Sequence, residues 1–108
     1  MNYEIVYAPE VGRDLARIAA HLEAHEVADV EERMIALLRS IETLEVSPYL
    51  GRPVLNRRGR RELIIGKRSR GYIVRYSIEE ATRTVLVLGI RGQRERGFTR
   101  VRRTRRSS

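Results

Sequence analysis

Residues 71–78 read Gly71-Tyr72-Ile73-Val74-Arg75-Tyr76-Ser77-Ile78. Tyr72, Val74, Tyr76 and Ile78 alternate with Ile73, Arg75 and Ser77, the two-residue period of a strand with one buried face. The expected role of Tyr72 and Tyr76 is in the core, with hydroxyls at its rim, while Arg75 points away from them beside Ser77. The flanking runs have the same grain. Arg61-Glu62-Leu63-Ile64-Ile65 is a short strand, and Lys67 to Arg70 turns the chain into the quoted run. Glu79 to Arg83 turns it again. Thr84 to Ile90 follows, β-branched and leucine-rich on both faces, as expected of an interior strand. Three strands joined by short turns read as an antiparallel meander.

Upstream the period lengthens. Val11, Leu15, Ile18, Ala19 and Leu22 form one stripe of an amphipathic helix over about residues 9–24, and Pro9 suits its first position. Asp14, Arg17 and Glu23 fall off that stripe. His25 to Asp29 connects to a second helix carrying Val30, Met34, Leu37, Leu38, Ile41 and Leu44, which Pro48 stops. So short a connection predicts an antiparallel helix hairpin. Residues 2–7, where Tyr3, Ile5 and Tyr7 alternate with Asn2, Glu4 and Val6, predict a first strand. Ser47 to Arg60, with Pro48, Gly51, Pro53 and Gly59, reads as loop. Within it, Arg52 is expected to hold the loop through carbonyl or carboxylate contacts.

The fold class is therefore α+β. Two layers in the order β-α-α-β-β-β place an antiparallel sheet under a helix hairpin that covers one face. The 108 residues make one domain, read as residues 1–99 followed by a basic tail, 100–108. That tail is expected to be mobile unless a partner orders it.

Composition excludes several kinds of chemistry. With no cysteine there is no thiol nucleophile, disulfide scaffold or thiolate metal site. Two histidines cannot supply three zinc ligands without acidic help. No apolar run approaches the roughly 18 residues of a membrane span. Met1-Asn2-Tyr3-Glu4 lacks the basic start of a signal peptide, so a cytoplasmic protein without a membrane partner or cofactor is expected.

The charge is segregated. Residues 1–56 hold 5 Arg against 10 Asp and Glu, a net of −5. Residues 57–108 hold 17 Lys and Arg against 4 acids, a net of +13. All but one of these cations is arginine, whose planar fork pairs with phosphate or carboxylate alike. A basic half on an acidic half points to an anionic partner, either nucleic acid or an acidic protein segment.

Several stretches resemble the RelE/ParE toxin superfamily of type II toxin–antitoxin systems. Ile5-Val6-Tyr7-Ala8-Pro9-Glu10 with Asp14-Leu15 is similar to the family's opening. Ser47-Pro48-Tyr49-Leu50-Gly51-Arg52-Pro53 resembles its loop after the second helix. Arg61-Glu62-Leu63 and Gly71-Tyr72-Ile73-Val74-Arg75-Tyr76 resemble its next two strands, and Ile90-Arg91-Gly92-Gln93-Arg94-Glu95 its ending. The resemblance runs over about residues 3–98, and the absence of the nuclease branch's acid/base residues favours the ParE-like branch.

That resemblance implies a toxin neutralised by a cognate antitoxin, in a toxin–antitoxin hetero-oligomer. RelE-like members cut messenger RNA in the ribosome, whereas ParE-like members poison DNA gyrase. Cutting RNA needs proton transfer and charge stabilisation. Where the nuclease branch carries basic residues this chain has Ile64, Gly66 and Ile73. Arg94 matches a basic position, Phe98 stands near a tyrosine that could move a proton, and Gly92 replaces a common histidine. His21 and His25 lie at the end of the first helix, far along the chain. Arginine stays protonated and is a poor proton shuttle. The expectation is a gyrase-binding toxin without turnover of its own. Two alternatives stand beside it: a ribosome-dependent nuclease using Arg94 and Arg91, and a nontoxic basic binding module. Residues expected to contact target or antitoxin are Arg61, Tyr72, Arg75, Arg91, Arg94, Arg96 and Phe98, with no metal ligand and no cofactor.

Overall fold

The computed structural model describes residues 2–66 and 70–93. Tyr3 and Ile5 begin the sheet in β1 (Glu4–Tyr7). Pro9 then occupies the first turn of α1 (Pro9–Ala24), where its missing N–H is not needed. The connection to α2 (Val30–Glu42) turns through Glu26 and Asp29, both at positive φ. A 3-10 turn, Thr43–Glu45, closes α2. Four strands follow: β2 (Arg52–Pro53), β3 (Arg60–Ile65), β4 (Tyr72–Glu79) and β5 (Thr84–Gly92).

The sheet order is β1-β5-β4-β3-β2. β3, β4 and β5 form the expected antiparallel meander, and β5 is interior, flanked by β1 and β4. Two features go beyond the sequence reading. β1 lies parallel to β5, with Ile5 opposite Val85, so the sheet is mixed rather than wholly antiparallel. The long excursion through both helices and three strands lets β1 meet β5 in either direction, and no local pattern records which. The loop after the helices also contributes β2, two residues paired with Arg61 and Glu62 at the sheet edge.

The helical layer covers one face. Val11 and Ile18 of α1, Leu37 and Ile41 of α2, and Leu44 share a core with Leu63, Val74, Tyr76, Val85, Val87 and Ile90. A bulge in β5 decides which residues face it. Tyr76 stands opposite Val87, but Arg75 stands opposite Gly89, leaving Leu88 as an extra residue. Past the bulge the alternation resets. Ile90 therefore joins the core, and Arg91 goes to the uncovered face.

Two polar groups are built into this core. Asp14, expected among the polar helix positions, is instead fully buried at 0% exposure. Its Oδ2 accepts from the Ile90 backbone N–H at 2.9 Å. Its Oδ1 accepts from Arg17 at 3.2 Å, and Arg17 also donates to the Ile90 carbonyl at 3.1 Å. β1 has its last pairing at Val87, so the two side chains take over backbone groups of β5 beyond it. The second group is Tyr76, also at 0% exposure rather than with its hydroxyl at a rim. Its hydroxyl donates to the Pro48 carbonyl at 2.7 Å and accepts from Gly51 N–H at 2.9 Å. Gly51 has to be glycine, since a Cβ there would meet the Glu62 carbonyl at 2.6 Å and the Tyr76 hydroxyl at 2.7 Å.

Asp14→Ala leaves the Ile90 N–H buried and unpaired and removes the carboxylate facing Arg17. A stability loss of about 2–4 kcal/mol is expected, read as a lower urea midpoint with unchanged slope. Tyr76 offers a pH test. Burial raises its pKa above the ordinary value, against the opposing pull of Gly51 N–H and Arg61. The unfolded phenol ionises first, so its contribution is intact below about pH 10 and is lost as pH rises above that. Urea titrations across that range should show a shallower loss for Tyr76→Phe than for the parent. Some loss persists, because Tyr3 and Tyr7 are raised too.

Candidate functional site

The uncovered sheet face is assembled by strand register. One cross-strand row runs Arg52, Glu62, Arg75, Gly89. The next row runs Ile64, Ile73, Arg91. Arg75 and Arg91 are thus diagonal neighbours on adjacent strands, as the alternation of β4 and the bulge of β5 require. Glu62 is the acid between the cations. It accepts from Arg75 Nη2 at 2.7 Å and Nε at 3.2 Å, and its other oxygen lies 3.6 Å from Arg52. Arg52 thus makes the carboxylate contact expected of it. The Glu62 side chain is 12% exposed and Arg75 28%, so this contact is partly shielded from water.

Among the described residues, the sequence candidates do not converge on one spot. Arg75 and Arg91 share the uncovered face. Tyr72 lies on the helix side, half-buried against the core. Arg61 is also on the helix side, toward the opposite end of β3. It donates to the Gly51 carbonyl at 2.5 Å and sits 4.9 Å from the centre of the Tyr49 ring. Its role is to hold the 48–51 loop, together with Tyr76. Arg94, Arg96 and Phe98, and the expected tail 100–108, lie outside the described residues.

Among the described residues, the row that carries Arg91 has no proton carrier beside it. Ile64 and Ile73 are direct cross-strand partners there. Gly66, with φ 83, ends the strand without a side chain. His21 and His25 stack on each other at 4.2 Å on the helical layer, across the sheet from this face. Among the described residues, no group of three or more His, Cys, Asp or Glu is placed to hold a metal. No described helix is long and apolar enough to cross a membrane.

A family model, the ParE toxin of the type II toxin–antitoxin system parDE, matches residues 5–97. The chain belongs to the ParE toxin family. Among solved structures it is similar to a chain of the toxin–antitoxin complex RelBE2 from Mycobacterium tuberculosis. The TM-score is 0.58 over 86% of this chain and 100% of that one, at 20% identity. At that identity the likeness shows the fold, which is the RelE/ParE one expected from the sequence. No curated protein sequence matches the chain.

In this ParE-family chain the sequence reading missed Glu62 as the organiser of the uncovered face. Its position opposite Arg75 follows only from the β3–β4 register. It also passed over the arginines at 57, 58 and 60, which the loop turns bring together around Tyr49. The pairs Leu55-Asn56 and Arg58-Gly59 signal those turns, since Asn56 and Gly59 both take positive φ.

Glu62→Gln removes the shared anion and leaves two guanidiniums on the uncovered face without it. A stability loss of about 1–3 kcal/mol is expected. Heparin binding should become tighter and more salt-dependent, as read by elution from a heparin column across a salt gradient.

Proposed function

We propose that this ParE-family chain is the toxin of a type II toxin–antitoxin pair that inhibits DNA gyrase by direct binding, without chemical turnover of its own. The observation that carries this reading is the Ile64–Ile73 pair on the uncovered face. A nuclease working from those strands would need charge and a proton carrier there, and these residues offer neither. Arg75 and Arg91 can dock an anionic surface but cannot shuttle protons near neutral pH.

The antitoxin is the second partner in this reading. The net +13 of residues 57–108 favours an extended segment carrying acids. Exposed Ile35 and Val46 on the helical layer, and Val6 and Tyr7 on the edge strand β1, offer apolar contacts to the same segment. The RelBE2 relative is itself a toxin–antitoxin complex.

The test is inducible expression in bacteria lacking any antitoxin, with chromosomal breaks and messenger RNA ends read from one culture. DNA breaks and filamentation with intact messages are expected. Arg75→Glu should relieve the growth defect while the purified variant melts cooperatively. Codon-phased message cleavage without DNA damage would sink the gyrase reading in favour of ribosome-dependent cleavage. Healthy growth with soluble protein would leave a nontoxic binding module.

A further inference from the structure

We propose that the depression between the 53–61 hairpin and the end of β4 is a nucleotide-unit site, taking a phosphate on its arginines and a base on Tyr49. Arg61 and Ile78, which line it, are on the helix side of the sheet, the face opposite Arg75 and Arg91. The depression is open to solvent, with a volume of about 690 Å³. Arg57, Arg58, Arg60 and Arg61 line it, with apolar wall from Pro53 and Ile78. Among the described residues, no ion pair or hydrogen bond engages the side chains of Arg57, Arg58 or Arg60. One acid lines it against four arginines: Glu80, whose oxygens accept from Tyr3 at 2.7 Å and from Tyr49. The site is therefore strongly cationic.

The arginines are presented by a loop closed by backbone hydrogen bonds. Arg57 N–H donates to the Val54 carbonyl at 3.2 Å, and Arg60 N–H to the Arg57 carbonyl at 3.1 Å. With Asn56 and Gly59 at positive φ, these are two successive turns of the type II pattern. Val54 N–H closes them on the Arg60 carbonyl at 2.9 Å, and Ile78 N–H ties Gly59 to β4 at 3.2 Å. Guanidiniums held on a closed loop bind an oxyanion with less ordering cost than guanidiniums on a floppy one.

The aromatic partner selects the ligand class. Tyr49 is 53% exposed, with the Arg61 guanidinium against its ring. An aromatic ring bordered by arginines is the combination that binds single-stranded nucleic acid, with stacking added to phosphate pairing. An extended acidic peptide is disfavoured. The adjoining edge strand β2 has two residues, and Pro53 has no N–H to offer such a peptide.

The test uses the purified full chain without gyrase, so its outcome is independent of the toxicity result. A fluorescent single-stranded decamer and a nucleoside triphosphate are titrated by anisotropy and calorimetry at several salt concentrations. Arg57→Ala/Arg58→Ala is compared with Arg13→Ala/Arg39→Ala, which removes two helix-layer cations and matches its charge. The first pair should lower the salt slope for the decamer by about 1.4, at roughly 0.7 per lost phosphate contact. The second pair should leave it unchanged. Tyr49→Leu should weaken the decamer about tenfold, as expected for a lost stacking platform. It should leave inorganic tripolyphosphate binding as in the parent. Triphosphate binding as tight as the strand would place the source as free nucleotide, and tighter strand binding as nucleic acid; both uphold the site. Equal losses from the two arginine pairs would overturn it, since net charge alone would then account for binding. So would tighter binding of a polyglutamate peptide than of the decamer at this loop.

Discussion

A buried carboxylate, Asp14, ties the two layers together. Desolvating Asp14 costs several kcal/mol unless partners replace its hydration, and here they do: Ile90 N–H and Arg17 both donate to it. The placement answers a problem set by the sheet. β1 pairs with β5 only as far as Tyr7 and Val87, because the chain must leave for α1. Beyond that point β5 needs partners for backbone groups that a longer strand would have bonded. Asp14 and Arg17 supply them from the first helix. Ile90 comes directly after the bulge, so the same clamp holds the segment that sends Arg91 to the uncovered face.

Tyr76 does comparable work at the other end of the sheet. Its hydroxyl bridges Pro48 and Gly51 from inside the core, while Arg61 grips Gly51 from the rim. The irregular chain between the helices and the meander is thereby fastened to β4. That fastening gives the 54–60 turns a fixed base and brings Tyr49 beside the arginines they carry. The molecule thus presents two basic surfaces of different character. The sheet face has arginines organised by one shared acid and flanked by isoleucines. The hairpin depression has arginines without such an acid and an exposed aromatic ring. The first suits a broad protein contact, the second a small oxyanion with a planar group.

Much of this was legible beforehand, for physical reasons. Strand alternation in Tyr72–Ile78 and the helical stripe of Val11, Leu15 and Ile18 are local consequences of burying one face. They predicted five of the elements within a residue or two, and the 3-10 turn that closes α2 falls inside the second predicted helix. β2 was not legible, since Arg-Pro carries no strand signal and pairs only because Gly51 is pinned nearby. Arg75 was placed on the correct face by parity alone. Arg61 and Tyr72 were grouped with it as contact residues; the structure sets Arg61 against the 48–51 loop and Tyr72 at the core edge.

The sequence by itself determined the layer order, the interior position of β5, the segregation of charge and the absence of cysteine chemistry, because each follows from local periodicity or counting. Tertiary structure alone decided the parallel pairing of β1 with β5, the bulge at Leu88, the burial of Asp14 and the partner of Glu62. These depend on groups such as Asp14 and Ile90, 76 residues apart in the chain. Their meeting is fixed by the demand that buried donors find acceptors, a demand met here between distant segments and written in no single stretch of the chain.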